Sequence, residues 1–294
     1  MDGQIEAVRR FNRVITQRVG ALQDAYLSRE RSLGLSRILW EIGPEGAEIR
    51  VLRARLGLDS GYVSRQLRVL ESQGLAVSDA GDRDGRVRTV RLTAAGLAER
   101  ALLDRSSDEL AASMLEPLTA AQRERLVAAM AEVEKLVIAS LVRVEITDPR
   151  SPDARYCLRS YFDELGRRFD AGFDPSRSIS ASDDEMTLPD GLLLVATLSG
   201  SPVGCGALKL HAETRIAEVK RMWVSPGVRG LGLGRRLLEC LAGEASSRGM
   251  RTLRLETNQA LAEARRLYET AGFVEVSAFN DDPYAHHWFE RALP

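Results

Sequence analysis

The chain has 294 residues, which is enough for two domains that each bury a core. Its hydrophobic content of 44% and charged content of 28% are ordinary for a globular protein, and a formal net charge of −1 excludes a strongly basic or acidic chain. No apolar run approaches the ~20 residues of a membrane span, and the N-terminus lacks a signal-peptide pattern, so we expect a cytoplasmic protein with no membrane partner.

The first half of the chain has the pattern of helices followed by a hairpin. Apolar residues at helical spacing predict a long amphipathic helix from Ile5 to about Arg31. Further helices are predicted at 35–42, at 49–56 and from a cap at Asp59 or Ser60 to Ser72, with strands at 77–78 and 87–92 around a polar tip. Two more helices begin at Thr93 and Thr119, and the second runs to near Val144. Three helices and a two-stranded hairpin are the order of a winged helix-turn-helix.

Basic residues are concentrated in this region. Between Arg50 and Arg91 there are nine arginines and five acidic residues, a local balance of +4. On the fourth helix Val63, Leu67 and Leu70 share one face, and Arg65 points away from it. This density predicts contact with a phosphate backbone. The alternative is a winged-helix scaffold whose arginines are only solvated.

Residues 35–96 resemble the MarR family of transcription regulators. The likeness rests on the run 58–67, on Leu70-Glu71-x-x-Gly74-Leu75, and on the wing 82–86 with Val90-x-Leu92-Thr93-x-x-Gly96. It implies that the fourth helix enters the major groove of double-stranded DNA and that a wing arginine reaches the minor groove. The residues implied are Ser60, Tyr62, Ser64, Arg65 and Arg68 for the major groove, with Arg83 and Arg86 for the minor groove.

The first helix and the last two carry apolar stripes that a single small winged helix leaves uncovered. We therefore expect these helices to bury the stripes against a second copy of the chain. The resemblance implies the same homodimer, placed on a pseudo-palindromic operator. The alternative is a bundle formed against the second domain.

A break in the pattern at 148–152 predicts the linker, so we expect domains at 1–147 and 148–294. The second domain begins with a helix at 153–169. A polar segment follows at 171–190, which is either a mobile loop over a substrate site or a solvated connection. Strands are predicted at 192–198, 203–210, 218–224, 252–257, 274–276 and 286–289, with helices after Leu233 and at 261–270.

A glycine-rich turn at 228–234 joins the strand that ends at Val224 to a helix with Leu233, Leu237 and Leu241 on one face. Glycine tolerates positive φ, and the first N–H groups of a helix have no partner and lie at its positive end. The turn is therefore a predicted pyrophosphate site. Its spacing matches neither the Walker A pattern nor G-x-G-x-x-G.

The motif Arg229-x-x-Gly232-x-Gly234, together with the runs 253–258 and 264–273, resembles the GNAT N-acetyltransferases. The resemblance implies an α+β fold with a mixed sheet and flanking helices, acetyl-CoA as acyl donor, and a bulge in the strand before the loop. The cofactor-binding residues implied are Met222, Trp223, Val224, Arg229, Gly230, Leu231, Gly232, Leu233, Gly234, Asn258 and Tyr268.

Attack of an amine on a thioester needs a base to take the ammonium proton and an acid to protonate the thiolate. The resemblance implies a glutamate on the strand before the glycine loop, so Glu218 is the first choice for the base and Glu256 on the next strand the second, unless their partners are the neighbouring lysine and arginines. The resemblance also implies that Tyr268 lies near the CoA sulfur, so it is the predicted acid; the alternative is an aromatic side chain packed between helix and sheet. The three cysteines fall in no metal-ligand spacing, so no metal is expected.

These patterns together predict a DNA-binding regulator fused to an acetyltransferase that acts by direct attack in a ternary complex. The acceptor is a small-molecule or peptide amine. The alternative is a regulator whose second domain senses acetyl-CoA or another ligand without turnover.

Overall fold

The computed structural model divides into two compact units, Met1–Met130 and Ala131–Pro294. It describes residues 1–21, 31–80, 88–170, 172–179 and 181–294. The predicted wing arginines, Arg83 and Arg86, lie outside the described residues.

The first part of the chain is mainly helical. Its described helices are α1 Asp2–Arg18, α2 Leu33–Ile42, α3 Ile49–Leu56, α4 Ser60–Ser72, α5 Ala94–Leu115 and α6 Ala120–Leu141. Its strands β1 Ala47–Glu48, β2 Ala76–Ala80 and β3 Arg88–Leu92 pair antiparallel in the order β1-β3-β2. The helices predicted between 35 and 72 are confirmed. The prediction that the first helix reaches Arg31 is wrong, because the chain turns after Arg18 and Gly20 takes a φ of +68°.

The helix α4 begins and packs as its sequence predicts. The Asp59 carboxylate caps it by accepting a hydrogen bond from the Tyr62 backbone N–H at 2.8 Å. Its apolar face is buried, with Val63 and Leu70 fully inaccessible. This face packs into a core with Ile38 and neighbouring residues of α2, so the opposite face of α4 is left exposed.

Two helices expose apolar side chains along their length. Within the described residues, neither α1 nor α6 has a buried side chain. The large apolar side chains exposed on them are Ile5, Val8, Phe11 and Val14 on α1, and Val127, Met130, Val133, Leu136, Val137 and Leu141 on α6. Contiguous apolar faces of this kind usually mark an interface.

The second unit is built on a seven-stranded mixed sheet. The strands are β4 Arg143–Ile146, β5 Gly191–Leu198, β6 Ser201–His211, β7 Ile216–Val224, β8 Thr252–Thr257, β9 Val274–Val276 and β10 His287–Ala292. The helices are α7 Pro152–Arg168, α8 Leu233–Ser247 and α9 Ala262–Thr270. The sheet order is β4-β5-β6-β7-β8-β10-β9, and only β7 and β8 pair in parallel.

The first strand of this sheet replaces the predicted end of a helix. We expected the last helix of the first half to run to near Val144, but α6 ends at Leu141. Val144 instead pairs with Ala196 of β5. Its apolar side chain suits a strand as well as a helix, and only the distant partner strand decides between them.

Two irregularities in β7 shape the middle of the sheet. Its parallel pairing with β8 covers only Ile216 to Glu218, so no ladder joins the two strands beyond that point. Between the Lys220 and Trp223 positions one residue is extra: Arg221 and Met222 lie opposite the single residue Gly206. Arg221 has a φ of +58°, which marks a β-bulge.

Candidate active site

A cleft lies where β7 and β8 cease to pair, and it has two parts. The loop cavity has a volume of about 490 Å³ and includes the glycine turn and the start of α8. The aromatic cavity has a volume of about 100 Å³ and includes Phe169, Phe173 and Tyr284. The residues that line both are Tyr161, Leu165, Met222, Leu261, Ala264 and Tyr268. The two cavities therefore meet at these side chains.

The glycine turn presents unpaired main-chain donors to the loop cavity. Within the described structure, no N–H from Gly230 to Arg235 donates to a backbone carbonyl, and the first helical bond of α8 runs from Arg236 N to Gly232 O at 3.0 Å. Gly230 and Gly232 have φ of +81° and +75°. These donors stand at the positive end of α8, which is the environment that holds a pyrophosphate.

A carboxylate outside the predicted site residues holds the glycine turn in place. Glu164 on α7 accepts a hydrogen bond from the Arg229 guanidinium at 2.5 Å and another from the Trp223 indole at 3.0 Å. Arg229 also donates to the Val224 carbonyl at 3.0 Å. Two of the predicted cofactor-binding residues, Arg229 and Trp223, are thus held by Glu164. Glu164 is one of several charged residues in α7, so no sequence signal indicated this role.

Two phenols, the buried Tyr268 and the partly buried Tyr161, line both cavities. Tyr268 is 6% exposed and packs at 6.0 Å from the rings of Phe273 and Phe289. Burial raises the pKa of Tyr268 above its ordinary value, and Tyr161 and Glu256 raise it further. Burial also raises the pKa of Tyr161 to about 12, although the Arg221 charge opposes this. Both phenols therefore stay protonated at neutral pH and can donate a proton.

Tyr161 was not among the residues predicted from helical spacing. On α7, Leu158 and Leu165 are buried, whereas Tyr156 is 47% exposed. Tyr161 is partly buried and lines both cavities. The amphipathic pattern alone did not single it out, because aromatic residues occur on more than one side of the helix.

Glu256 lies on the wall of the aromatic cavity. Its Oε1 accepts a hydrogen bond from Lys220 Nζ, while its buried Oε2 has no hydrogen-bond partner among the described residues. Burial raises the pKa of Glu256, and the charges of Glu218 and Asp282 add to this while Lys220 opposes it. A carboxylate with a raised pKa and a free oxygen is suited to accept a proton near neutral pH.

Glu218, our first choice for the base, lines neither cavity. The parallel pairing of β7 with β8 sets it opposite Arg254, which donates to Glu218 Oε1 from Nε at 3.0 Å. Lys220 Nζ lies 3.3 Å from its Oε2, and His211 Nε2 lies 3.1 Å from its Oε1. Burial raises the pKa of Glu218, but Lys220 and Arg254 outweigh it and hold the pKa below its ordinary value. The geometry favours Glu256 over Glu218.

Asn258 follows the end of β8, as the sequence predicts, but its side-chain amide already forms hydrogen bonds within the protein. It donates to the Tyr284 carbonyl at 2.8 Å and accepts from the Ala260 N–H at 2.8 Å. It lines the aromatic cavity and not the loop cavity. The geometry therefore favours a role in shaping the site over direct contact with a bound pyrophosphate.

In the first unit, the described residues predicted to meet DNA lie on α4, and Tyr62 among them packs partly against the core. Ser60, Arg65 and Arg68 are exposed, and Tyr62 and Ser64 are half-buried. A groove of about 220 Å³ beside them is lined by Glu48, Ile49, Arg50, Arg53, Ser60, Val63, Ser64 and Arg88. No described carboxylate forms an ion pair with the arginines at 50, 53, 65, 68 and 88.

Over the same described ranges, no group of three or more His, Cys, Asp or Glu side chains is arranged to hold a metal ion. No described helix combines the length and the apolar character needed to span a bilayer.

Comparison with known proteins places a family match over the cleft. Residues 158–273 match the model of the acetyltransferase (GNAT) family. An IAA acetyltransferase of Azospirillum brasilense is 45% identical over 96 residues, which are 33% of this chain and 61% of that protein. An uncharacterized N-acetyltransferase of Bacillus subtilis, YsnE, is 39% identical over 80 residues, which are 26% of this chain and 52% of that protein. The chain thus spans between half and two thirds of the length of these relatives.

A solved structure of a GNAT-family acetyltransferase from Staphylococcus aureus is 18% identical to the chain. The alignment covers 52% of this chain and 100% of that one, with a TM-score of 0.44.

Proposed function

We propose that the chain, whose residues 158–273 form an acetyltransferase domain of the GNAT family, transfers an acetyl group from acetyl-CoA to an amine. The observation that carries this proposal is the junction of the two cavities. There Tyr268 lines both the cavity of the glycine turn, with its free N–H groups, and the cavity of Glu256, whose Oε2 has no hydrogen-bond partner among the described residues. A diphosphate, a thioester and an amine can then be held in one continuous cleft.

In the proposed reaction, the N–H groups of Gly230 to Arg235 bind the pyrophosphate, and the main chain of Met222 to Val224 pairs with the pantetheine arm. Glu256 Oε2 takes the ammonium proton of the acceptor, and the amine nitrogen attacks the thioester carbon. The C–S bond breaks, and Tyr268 gives its proton to the departing sulfur. The attacking nitrogen then loses its second proton to the Tyr268 phenolate, which leaves a neutral amide, and Glu256 releases the first proton to water. Direct attack is supported by the cysteines: Cys157 and Cys205 are fully buried, and neither cavity is lined by a cysteine.

The test is release of CoA from acetyl-CoA by the full chain across a broad panel of primary amines. Acetylated product with stoichiometric CoA is the expected result. Saturable binding of acetyl-CoA without CoA release from any amine would instead support the alternative of a ligand-sensing domain.

We also propose that the first unit is a winged helix-turn-helix that binds double-stranded DNA. The order of α2, β1, α3, α4, β2 and β3 supports this, as does the exposed face of α4. The arginines beside that face have no described carboxylate partner, so their charges are available to phosphates and base edges. Because regulators commonly bind near their own genes, the upstream DNA of the chain's own gene is the first probe.

The substitution Arg65→Ala is expected to weaken binding to that DNA by about 1–3 kcal/mol, because it removes an exposed guanidinium from the face of α4 that is proposed to contact the bases. The control is Arg105→Ala, which removes an equally charged and exposed side chain from α5. The measurement is fluorescence anisotropy over a range of salt concentrations. Equal affinities for the two variants would contradict the assignment of α4 to DNA.

We further propose that the apolar faces of α1 and α6 pack against a second copy of the chain. A two-fold dimer would cover the side chains that both helices leave exposed, and it would set two copies of α4 on a pseudo-palindromic operator. Sedimentation of the full chain at micromolar concentration as a monomer would contradict this proposal.

A further inference from the structure

The buried carboxylate of Asp282 lines the aromatic cavity and joins two segments of the second unit: the polar segment that contains Ser178, and the C-terminal segment that contains Asp282 and Tyr284. Asp282 is 6% exposed, and its Oδ2 accepts a hydrogen bond from the Ser178 hydroxyl at 2.8 Å and from the Ile179 N–H at 2.7 Å. Its Oδ1 accepts from the Tyr284 N–H at 2.9 Å within its own segment. We call these contacts the carboxylate latch. Bonds to a buried carboxylate are stronger than neutral ones, so the latch holds the segments firmly.

Aromatic contacts strengthen the same junction. The rings of Phe173 and Tyr284 lie 4.8 Å apart, and Phe169 lies 5.8 Å from each of them. The Tyr284 hydroxyl accepts a hydrogen bond from the Asp174 N–H at 2.9 Å. The polar segment predicted at 171–190 is therefore joined to the C-terminal segment by both charge and stacking.

A third contact ties this segment to the sheet. The guanidinium of Arg221, the residue at the bulge, donates to the Ala181 carbonyl at 3.3 Å and lies 4.3 Å from the centre of the Phe162 ring. Arg221 thus helps to hold the segment over the cavity. Ser178, Ile179 and Ala181 all line that cavity, so the segment forms part of its wall.

The space beneath is small. Its volume of about 100 Å³ compares with ~300–1,000 Å³ for pockets that take drug-sized ligands. Five aromatic side chains line it, and its charged lining residues are Lys220, Arg221, Glu256 and Asp282. Lys220 is paired with Glu218 and Glu256, Arg221 donates to the Ala181 carbonyl, and Asp282 joins the two segments. The Oε2 of Glu256 has no hydrogen-bond partner among the described residues, so it is the carboxylate oxygen left for an ammonium, and the aromatic rings fit an apolar body.

We propose that the acceptor is a small primary amine with an apolar body, bound whole beneath the joined segments, and that the carboxylate latch excludes amines carried on polypeptides. A peptide-borne lysine would need an open channel for its main chain where Asp282 connects the two segments. This inference rests on the proposed acetyltransferase function and narrows its acceptor from amines in general to one class.

The test compares two acceptors that present the same linear alkylammonium. One is pentylamine, and the other is a pentapeptide with blocked ends and a single central lysine. For the full wild-type chain, kcat/KM for pentylamine is expected to exceed that for the peptide by at least about 100-fold. A peptide that is acetylated as efficiently as pentylamine would overturn the proposal.

The substitution Asp282→Ala removes the latch, so it is expected to raise the KM for pentylamine. The ratio of kcat/KM for pentylamine to kcat/KM for the peptide should fall by about tenfold or more. Asp281→Ala is the matched control, because Asp281 is the neighbouring acid and is exposed. If Asp282→Ala does not fold, Tyr284→Phe and Ser178→Ala each remove a single hydrogen bond of the junction. An unchanged ratio of the two acceptors in the folded variants would overturn the role of the latch.

The acetyltransferase proposal and the acceptor proposal can fail independently of each other. If acetyl-CoA binds but no amine releases CoA, the transferase proposal falls. Calorimetric titration of pentylamine and of the peptide into the CoA-saturated chain then decides the acceptor class. Preferential binding of pentylamine would uphold the inference, and equal binding of the two would overturn it.

Discussion

The substitution Glu256→Gln is expected to lower kcat by about 10²–10⁴-fold, the range that a positioned general base contributes. Glutamine preserves the shape of the side chain and can keep the contact of Oε1 with Lys220, but it cannot take a proton. Affinity for acetyl-CoA should be unchanged, because the glycine turn lies in the other cavity. The measurement is steady-state CoA release, normalised to folded protein.

The pH profile gives a second readout of the same group. A base acts when deprotonated, so the wild-type rate should fall as the pH drops through the pKa of Glu256. That pKa is raised mainly by burial, so the falling limb should lie above the ordinary glutamate value of ~4.3. Glu256→Gln should lack this limb.

Glu218→Gln is the matched control for the base. It changes the neighbouring carboxylate, which lies outside both cavities and is paired with Arg254 and Lys220. We expect a lower melting temperature, because Arg254 loses its carboxylate partner and Lys220 keeps only Glu256. The kcat of the folded protein should change only a few-fold. Abolished turnover in Glu218→Gln together with active Glu256→Gln would reverse our assignment.

The second large effect is expected for Tyr268→Phe, which removes only the hydroxyl from the junction of the cavities. Because the ring stays packed against Phe273 and Phe289, stability should change by no more than about 1 kcal/mol. Without an acid for the leaving thiolate, kcat should fall by about 10²-fold or more. The pKa of Tyr268 is raised, so loss of this acid should not limit the wild-type rate until well into the alkaline range.

Tyr161→Phe distinguishes the two phenols. Tyr161 is partly buried, lines both cavities as Tyr268 does, and also has a raised pKa, so the two phenols are distinguished by position and not by the direction of their pKa shift. If Tyr161→Phe loses turnover and Tyr268→Phe keeps it, the acid has been assigned to the wrong phenol. Rates should be compared at saturating acetyl-CoA.

The parts of the site that could be predicted from the sequence are those that local chemistry determines. The glycines at 230 and 232 have the positive φ that their residue type permits, and the helix they introduce begins at Leu233 as its apolar spacing indicates. For the glycine turn and its helix, neighbours within a few residues were enough. Tyr268 was selected by the family resemblance of its motif, and the structure buries it on α9.

The choice of base depended on contacts that the local pattern does not contain. Glu218 and Glu256 both lie on strands and both have basic neighbours in the sequence. Only the register of β7 against β8 shows that Arg254 pairs with Glu218 and not with Glu256, and that the ladder ends before Glu256. Register between distant strands is a property of the folded sheet.

The aromatic cavity could not be predicted from the sequence either. Its wall joins α7, a polar segment and a C-terminal segment about 100 residues apart in the chain, since Ser178 and Asp282 are separated by 104 positions. A polar stretch with serines and acids has the composition of a solvated connection. Nothing in that composition indicates a partner as distant as Asp282.

The bulge in β7 changes which residues of the strand face each layer: odd-numbered residues face α8 before it, and even-numbered residues face α8 after it. Ahead of it, Ala217 and Val219 belong to the core beneath α8; past it, Met222 does, while Trp223 turns to the core beneath α7. If the strand kept its present length but had no bulge, the indole would point into the layer that is already filled by leucines. The bulge therefore decides which layer Met222 and Trp223 enter, and deleting Arg221 would leave a regular strand with both side chains in their present layers.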